Sequence, residues 1–274
     1  MKRVAFAIGA FAAVAAVLLF VGCRAEQQGT ALADDYFMVD IGGSTSVVPV
    51  LNALMGDFHA ANPRIRLNVL GTGSGDGIRN AGTLYQFGLS SRALTQDELG
   101  LGLNQQPVAI DGIAVVVHYA SPVSNLSMAQ IRGIYTGAIT DWSQITGAKS
   151  GAIAVFTREA GSGTRSAFEE MVGFTGQLRA GAYEGRSTAA VRSNVSVHPN
   201  AIGYISVGAV TEMVRAVNVD GVAPTMANMM NGSYGISRPF ILLYRALQPE
   251  SRTFLDWAIT EGQVIVARGW IPIN

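Results

Sequence analysis

The sequence predicts an α/β fold, and three observations carry that prediction. From Met38 onward, short apolar segments alternate with amphipathic ones, the pattern of alternating strands and helices. Three of the strand-like segments run into turns rich in Gly, Ser and Thr that open a helix, at residues 43–46, 73–77 and 161–164. Glycine is abundant, at 32 of 274 residues, without a repeating period and with only 9 prolines. That composition suits many tight turns and close backbone approaches, not a fibrous or disordered chain.

Taken in order, residues 37–41 read as a strand that breaks at Gly42-Gly43-Ser44-Thr45-Ser46. Residues 47–60 then read as a helix, because Leu51, Leu54, Met55 and Phe58 fall on one face. A second strand is expected over 65–70, running into Gly71-Thr72-Gly73-Ser74-Gly75-Asp76-Gly77, with a helix from Ile78. Residues 86–90 form a short strand ending at Ser90-Ser91-Arg92. The stretch 108–118 contains the apolar run Ile113-Ala114-Val115-Val116-Val117 and reads as a buried strand. Short helices are expected over 128–135 and near Trp142. A strand over 152–157 leads through Arg158-Glu159-Ala160-Gly161-Ser162-Gly163-Thr164-Arg165 into a helix carrying Phe168 and Met171. Strands over 201–205 and 239–244 and a helix over 252–267 complete the reading.

The first residues read as an export signal. Lys2 and Arg3 precede an apolar run, residues 4–21, that ends in Gly22-Cys23. Cys23 is the sole cysteine, so an internal disulfide is excluded. Two readings of Cys23 stand side by side. One is a small residue beside a retained transmembrane helix, since the run is just long enough to span a bilayer. The other is lipidation, because residues 19–23 resemble a bacterial lipobox, with Phe20 in place of the usual leucine. Either reading puts the rest of the chain outside the cytoplasm, facing the periplasm or the cell exterior. With residues 1–22 removed, residues 23–33 become a lipidated tether, polar and poor in aromatics. The 19 basic side chains match 19 acidic ones, and removal of Lys2 and Arg3 leaves 17 basic. Such a balance offers no electrostatic footprint for nucleic acid.

The three Gly/Ser/Thr turns carry the chemistry. Each places unpaired backbone N–H groups and short hydroxyls at a helix N-terminus, the end with partial positive charge, where an oxyanion is held. Any one of them also suits an ordinary turn or N-cap. Three in one chain, the third flanked by Arg158 and Arg165, supply the neutral donors and cations that a buried tetrahedral anion needs. Enzymatic patterns are lacking. Neither Ser74 nor Ser162 lies in a Gly-x-Ser-x-Gly elbow, and no Gly-x-x-x-x-Gly-Lys-Ser/Thr loop occurs. After Gly71-x-Gly73 the dinucleotide fingerprint fails at Asp76. His59, His118 and His198 are scattered without metal-ligand spacing, and no cofactor or metal is expected. Trp142, Trp257 and Trp270 read as packing residues.

These segments resemble, in order, the motifs of Pst-type phosphate-binding proteins, the solute receptors of phosphate ABC importers. The resemblance rests on Gly43-Ser44-Thr45-Ser46, Gly73-Ser74-Gly75, Ser90-Ser91-Arg92, Asp111-Gly112-Ile113 and, most specifically, Arg158 through Arg165. Asn125-Leu126-Ser127, Ala201-Ile202-Gly203-Tyr204 and Ser237-Arg238-Pro239 agree, so that it spans residues 39–272. It implies a two-lobed periplasmic-binding-protein fold of type II, each lobe a mixed sheet flanked by helices, joined by a two-strand hinge. The crossings are expected near 110–117 and 202–205, with residues 34–112 plus 206–274 in one lobe and 113–205 in the other. The family's phosphate contacts carry over to Thr45, Ser46, Ser74, Arg158, Ser162, Gly163 and Thr164, and Ser91, Arg92 and Asp111 complete the expected site.

Some members hold a carboxylate that accepts a hydrogen bond from protonated phosphate, an acceptor that would repel fully ionised sulfate. The matching position here is Ser91, and Gln86 stands where shorter members often carry Asp. Asp76 and Asp111 are the candidate substitutes. The expected function is capture of inorganic phosphate and its delivery to the permease subunits of an ABC importer, by a monomer held at the membrane through its lipid. Another oxyanion, such as sulfate, molybdate or a phosphonate, is the alternative within the binding class. A secreted phosphatase built on Ser74 or Ser162 is the enzymatic alternative, and it lacks a paired base.

Overall fold

The computed structural model describes residues 36–145 and 150–273. The export signal, Cys23 and the tether lie outside the described residues. The first strand, β1 (Phe37–Gly43), buries Val39 and Ile41 and leads into α1 (Val48–Ala61). Pro49 sits in the first turn of α1, where its missing N–H costs nothing, and Val50, Leu51, Leu54 and Phe58 form the buried face. Met55, expected on that face, lies at its edge, half-buried. β2 (Ile65–Gly71) pairs parallel with β1. The next helix, α2 (Ser74–Asn80), begins four residues before the expected Ile78. Its glycines are poor helix formers, but packing overrides propensity, because Ser74, Gly75, Gly77 and Ile78 are all buried. β3 (Phe87–Ser90) follows, then the short α3 (Gln96–Leu99), closed by a capping box between Thr95 and Glu98.

β4 (Asn104–His118) is the longest strand and ties the molecule together. After it come β5 (Asn125–Leu126), α4 (Met128–Thr136), a 3₁₀ turn at Trp142–Gln144, β6 (Ala154–Arg158) and α5 (Gly163–Val172). β7 (Tyr183–Gly185), α6 (Thr188–Val197), β8 (Ala201–Ser206), β9 (Val214–Ala216), β10 (Asn218–Val219) and α7 (Met226–Met230) lead to β11 (Ser237–Tyr244). The expected C-terminal helix is two helices, α8 (Pro249–Ile259) and α9 (Gln263–Val266). The break falls where Thr260 turns its hydroxyl onto the Asp256 carbonyl (2.6 Å) and leaves helical geometry at ψ −97°.

Among the described residues the main sheet runs β2-β1-β3-β11-β4-β8-β6-β7, with β9 also on β4. The N-terminal half of β4, through Gly112, pairs antiparallel with β11. Its C-terminal half, from Ile113, pairs antiparallel with β8. The two largest cores among the described residues follow from this division. One gathers Val39, Leu54, Phe58, Phe87, Phe240 and Phe254, with Phe58 and Phe254 edge to face at 5.1 Å. The other gathers Ile113, Val115, Ile131, Tyr135, Phe168 and Tyr204. This is the two-lobed type II arrangement of mixed sheets flanked by helices.

The return crossing differs from expectation. β9 pairs with Val116–His118 of β4, β10 pairs with β5, and Val217, Met229, Tyr234 and Ile236 enter the core around Ile113. Residues 207–236 therefore pack with the second lobe, and the chain returns at β11 instead of at 202–205. The physical reason is that β4 has two edges: β8 takes one over Ile113–Val117, and β9 takes the other over Val116–His118, beyond the point where β11 stops at Gly112.

Candidate oxyanion-binding site

Four strand-to-helix turns converge on one group of buried hydroxyls. Between β1 and α1, Gly43 adopts φ 140°, and a Cβ there would lie 2.4 Å from the Leu89 carbonyl oxygen. The Gly43 carbonyl accepts the N–H groups of Thr72 and Gly73, both at 2.7 Å, which locks the second turn to the first. Ser44 donates its hydroxyl to Ser91 Oγ (2.8 Å), and the Ser91 N–H donates to Ser74 Oγ (3.2 Å). Ser74 and Ser91 also face each other at 3.3 Å. Ser46 Oγ lies 2.8 Å from Thr164 Oγ1, joining the N-terminus of α1 to that of α5. Ser44, Ser46, Ser74, Ser91, Ser162, Thr164 and Thr188 are all buried.

Arg158, at the end of β6, is the buried cation of this group, only 2% exposed. Its Nε and Nη2 donate to the two carboxylate oxygens of Glu159, each at 2.8 Å, and Nε also reaches the Gly185 carbonyl at 3.1 Å. That fork fixes the guanidinium plane and leaves Nη1 for the Thr188 hydroxyl, 3.4 Å away. Tyr204 holds the strand end from below, accepting the Arg158 N–H at 3.1 Å and contacting Thr157 Oγ1 at 2.8 Å. Burial pushes the Tyr204 phenol up to about 12, so it stays neutral beside the site. Ser162 is the N-cap of α5 and accepts the Arg165 N–H at 3.3 Å. The Arg165 guanidinium is drawn instead to Glu169 (2.7 Å) and Glu184 (3.1 Å).

Of the residues expected from sequence, Thr45, Ser46, Ser74, Ser91, Arg158, Gly163 and Thr164 come together, with Ser162 capping the helix beside them. Arg92 does not join their hydrogen bonding. Both its terminal nitrogens lie on Glu98, at 2.6 and 2.7 Å, and this pairing holds the Glu98 carboxyl down at about 2. Asp111 is also engaged elsewhere. It accepts from Ser206 Oγ (2.8 Å) and Arg238 Nη2 (3.4 Å), where β4, β8 and β11 meet. Burial pushes its carboxyl up to about 6, and the Arg238 charge offsets only part of that. Asp76 accepts from Asn80 Nδ2 (2.9 Å) and the Tyr85 hydroxyl (3.0 Å), in the first turn of α2.

Sequence reasoning missed the fourth turn, Gly185-Arg186-Ser187-Thr188, which opens α6. Thr188 Oγ1 lies 3.0 Å from Ser46 Oγ and 3.3 Å from Thr45 Oγ1, and its N–H donates to Thr45 Oγ1 at 3.3 Å. The signal was present as a Gly followed by Ser-Thr, but β7 is only three residues long and so weak as a strand. Beside the cluster, the Gly75 N–H donates to the Gly161 carbonyl at 2.9 Å, tying α2 to the β6–α5 turn. A cavity of about 330 Å³ opens there, lined by Thr72, Gly73, Asp76, Arg79, Glu159 and Ala160. Among the described residues no group of His, Cys, Asp and Glu is placed to hold a metal ion. No helix among them is long and apolar enough to cross a membrane.

The profile of the PBP superfamily domain matches residues 25–261. A solved structure of a putative phosphate ABC transporter substrate-binding protein with bound phosphate, from Clostridium perfringens, is 40% identical. It superposes with a TM-score of 0.85, covering 87% of this chain and 100% of that one. The chain belongs to the PBP superfamily, in its Pst-type phosphate-binding branch. An ABC-type phosphate transport receptor from Vibrio cholerae is 32% identical, with a TM-score of 0.71 over 85% of this chain and 99% of that one. Phosphate-binding protein PstS 2 of Streptococcus agalactiae is 34% identical over 155 residues, and the match spans about half of each chain, 52%. The PstS protein of Bacillus subtilis is 27% identical over 85% of this chain and 80% of its own length. The Pst-type resemblance read from the Arg158–Arg165 motif and the two-lobed fold it implied are thus the family and the fold of this chain.

Proposed function

We propose that this chain is an exported, non-enzymatic receptor that captures inorganic phosphate between its lobes and delivers it to the permease subunits of an ABC importer. The observation that carries this reading is the buried Arg158 guanidinium set among hydroxyls from four helix N-termini, two from each lobe. A tetrahedral dianion needs that combination of one fixed cation and many neutral donors. Among the described residues the lobes divide as 36–112 plus 237–273 and 113–236, with β4 and the start of β11 as the hinge strands. Closure brings Ser46 against Thr164 and Thr188, and so hides the anion from water. The site residues are Thr45, Ser46, Ser74, Ser91, Arg158, Ser162, Gly163 and Thr164. Arg92 positions the β3–α3 turn through Glu98, and Asp111 serves the hinge through Arg238.

Titration of phosphate into the protein tests this reading, with Arg158→Ala as the diagnostic variant. Losing one buried charge partner costs about 3 kcal/mol, roughly 100-fold in affinity. Unchanged affinity would remove Arg158 from the site. A second reading, another oxyanion, draws support from the hydroxyl group itself. Its hydroxyls come from Ser and Thr, and a hydroxyl accepts or donates with equal ease, so the cluster does not by itself reject sulfate.

The chain is anchored by lipid at Cys23 after removal of residues 1–22, faces the periplasm or cell exterior, and acts as a monomer. Metabolic labelling with palmitate reports on the anchor. Label that disappears in Cys23→Ala is the expected outcome, and an unlabelled, membrane-retained chain would favour a transmembrane helix.

A further inference from the structure

We infer that Thr188 is an anion-contacting residue of the cleft, a fourth helix-terminal ligand beyond the three turns legible in the sequence. The inference rests on the proposed oxyanion function of this site. Thr188 is 5% exposed and touches both sides of the cleft. Its hydroxyl lies 3.0 Å from Ser46 and 3.3 Å from Thr45, across the cleft, and 3.4 Å from Arg158 Nη1 on its own side. No other single hydroxyl in the cluster meets two residues of the opposing turn and the guanidinium together, among the described residues. It is also the first residue of the ten-residue α6, whose first turn carries the positive end of the helix dipole. Ser187 already caps that helix through the Ala190 N–H (3.0 Å), so the Thr188 hydroxyl is not needed as a cap.

The chemistry follows from these distances. An oxygen placed between Arg158 Nη1 and Ser46 Oγ lies within reach of Thr188 Oγ1, which donates to it when Arg158 and Ser46 do. A hydroxyl in that position serves either protonation state of a tetrahedral anion, donating to an oxyanion or accepting from a protonated oxygen. Valine has nearly the shape of threonine and lacks the hydroxyl, so it separates the hydrogen bond from the packing.

The test compares T188V and T188S by calorimetric titration with phosphate, with thermal melts of each unliganded protein alongside. A hydrogen bond to a charged group is worth about ten- to a hundredfold in affinity, so T188V weakens phosphate binding by that factor. T188S, which keeps the hydroxyl, recovers affinity to within about threefold, inside the spread of one weak contact. Wild-type affinity in T188V would overturn the inference, and so would an equal loss in T188S, which would assign the effect to the methyl group. If the wild-type protein ignores phosphate but binds sulfate or molybdate, the phosphate reading falls. The same pair of variants titrated with that anion then decides the role of Thr188. Binding of no oxyanion by the wild type overturns both.

Discussion

At the scale of single residues, buried charge is the organising fact. Arg158 and Arg238 are both fully enclosed, and each has a different solution to its charge. Arg158 has the Glu159 fork and faces the hydroxyls. Arg238 has Asp111 at 3.4 Å and leaves Nε and Nη1 without partners, in a place where β4 and β11 cross between lobes. The cost of enclosing that pair shows in the Asp111 carboxyl, raised to about 6. The folded protein therefore holds this proton up to about pH 6, whereas the unfolded chain releases it near 3.8. Between those values the folded state binds more protons, so the stability from this group is full below about pH 4 and is lost as pH rises through 6. The difference is on the order of 2–3 kcal/mol. Denaturant melts at pH 4, 5, 6 and 7 should show this decline in the wild type and a flatter profile in Asp111→Asn. Parallel profiles would place the titration elsewhere.

At the scale of elements, the strand–turn–helix unit recurs four times and sets how closely the lobes approach. Gly163, first residue of α5, is the tightest point. A Cβ there would lie 2.3 Å from Ser74 Oγ and 2.8 Å from Ser91 Oγ, both on the opposite lobe. Gly163→Ala suits the helix itself, so the unliganded protein should melt at or slightly above the wild-type temperature. It should nonetheless bind phosphate at least about tenfold more weakly, because closure meets the new methyl group. Wild-type affinity in this variant would show that the lobes do not close on this contact.

The first three units were legible because Gly, Ser and Thr cluster where a strand pattern stops, as at Gly43-Ser44-Thr45-Ser46. The fourth was not, since Thr188, Val191, Asn194 and Val195 are weak helix formers and conceal α6. Packing decides there, through the buried Val191 and Val195 against Phe156 and Ala201. Arg92 shows the converse. Its place in Ser90-Ser91-Arg92 suggested a site residue, but Glu98, six positions on, captures the guanidinium to close a turn, a pairing that spacing alone does not reveal.

At the scale of the whole molecule, β4 explains why a single unbroken strand can serve two lobes. One half pairs with β11 and the other with β8, so the junction of the two cores falls near Gly112 while the strand stays paired on both sides of it. The apolar run from Ile113 announced half of this strand in the sequence. The return crossing was misplaced because β9 and β10 are too short to leave a periodic signal, and only their pairing with β4 and β5 assigns residues 207–236 to a lobe. The central claim is that the cleft so formed captures phosphate. Calorimetric titration of the purified protein with phosphate at neutral pH tests it most directly. Tight 1:1 binding of phosphate is expected, and no heat with phosphate would contradict it.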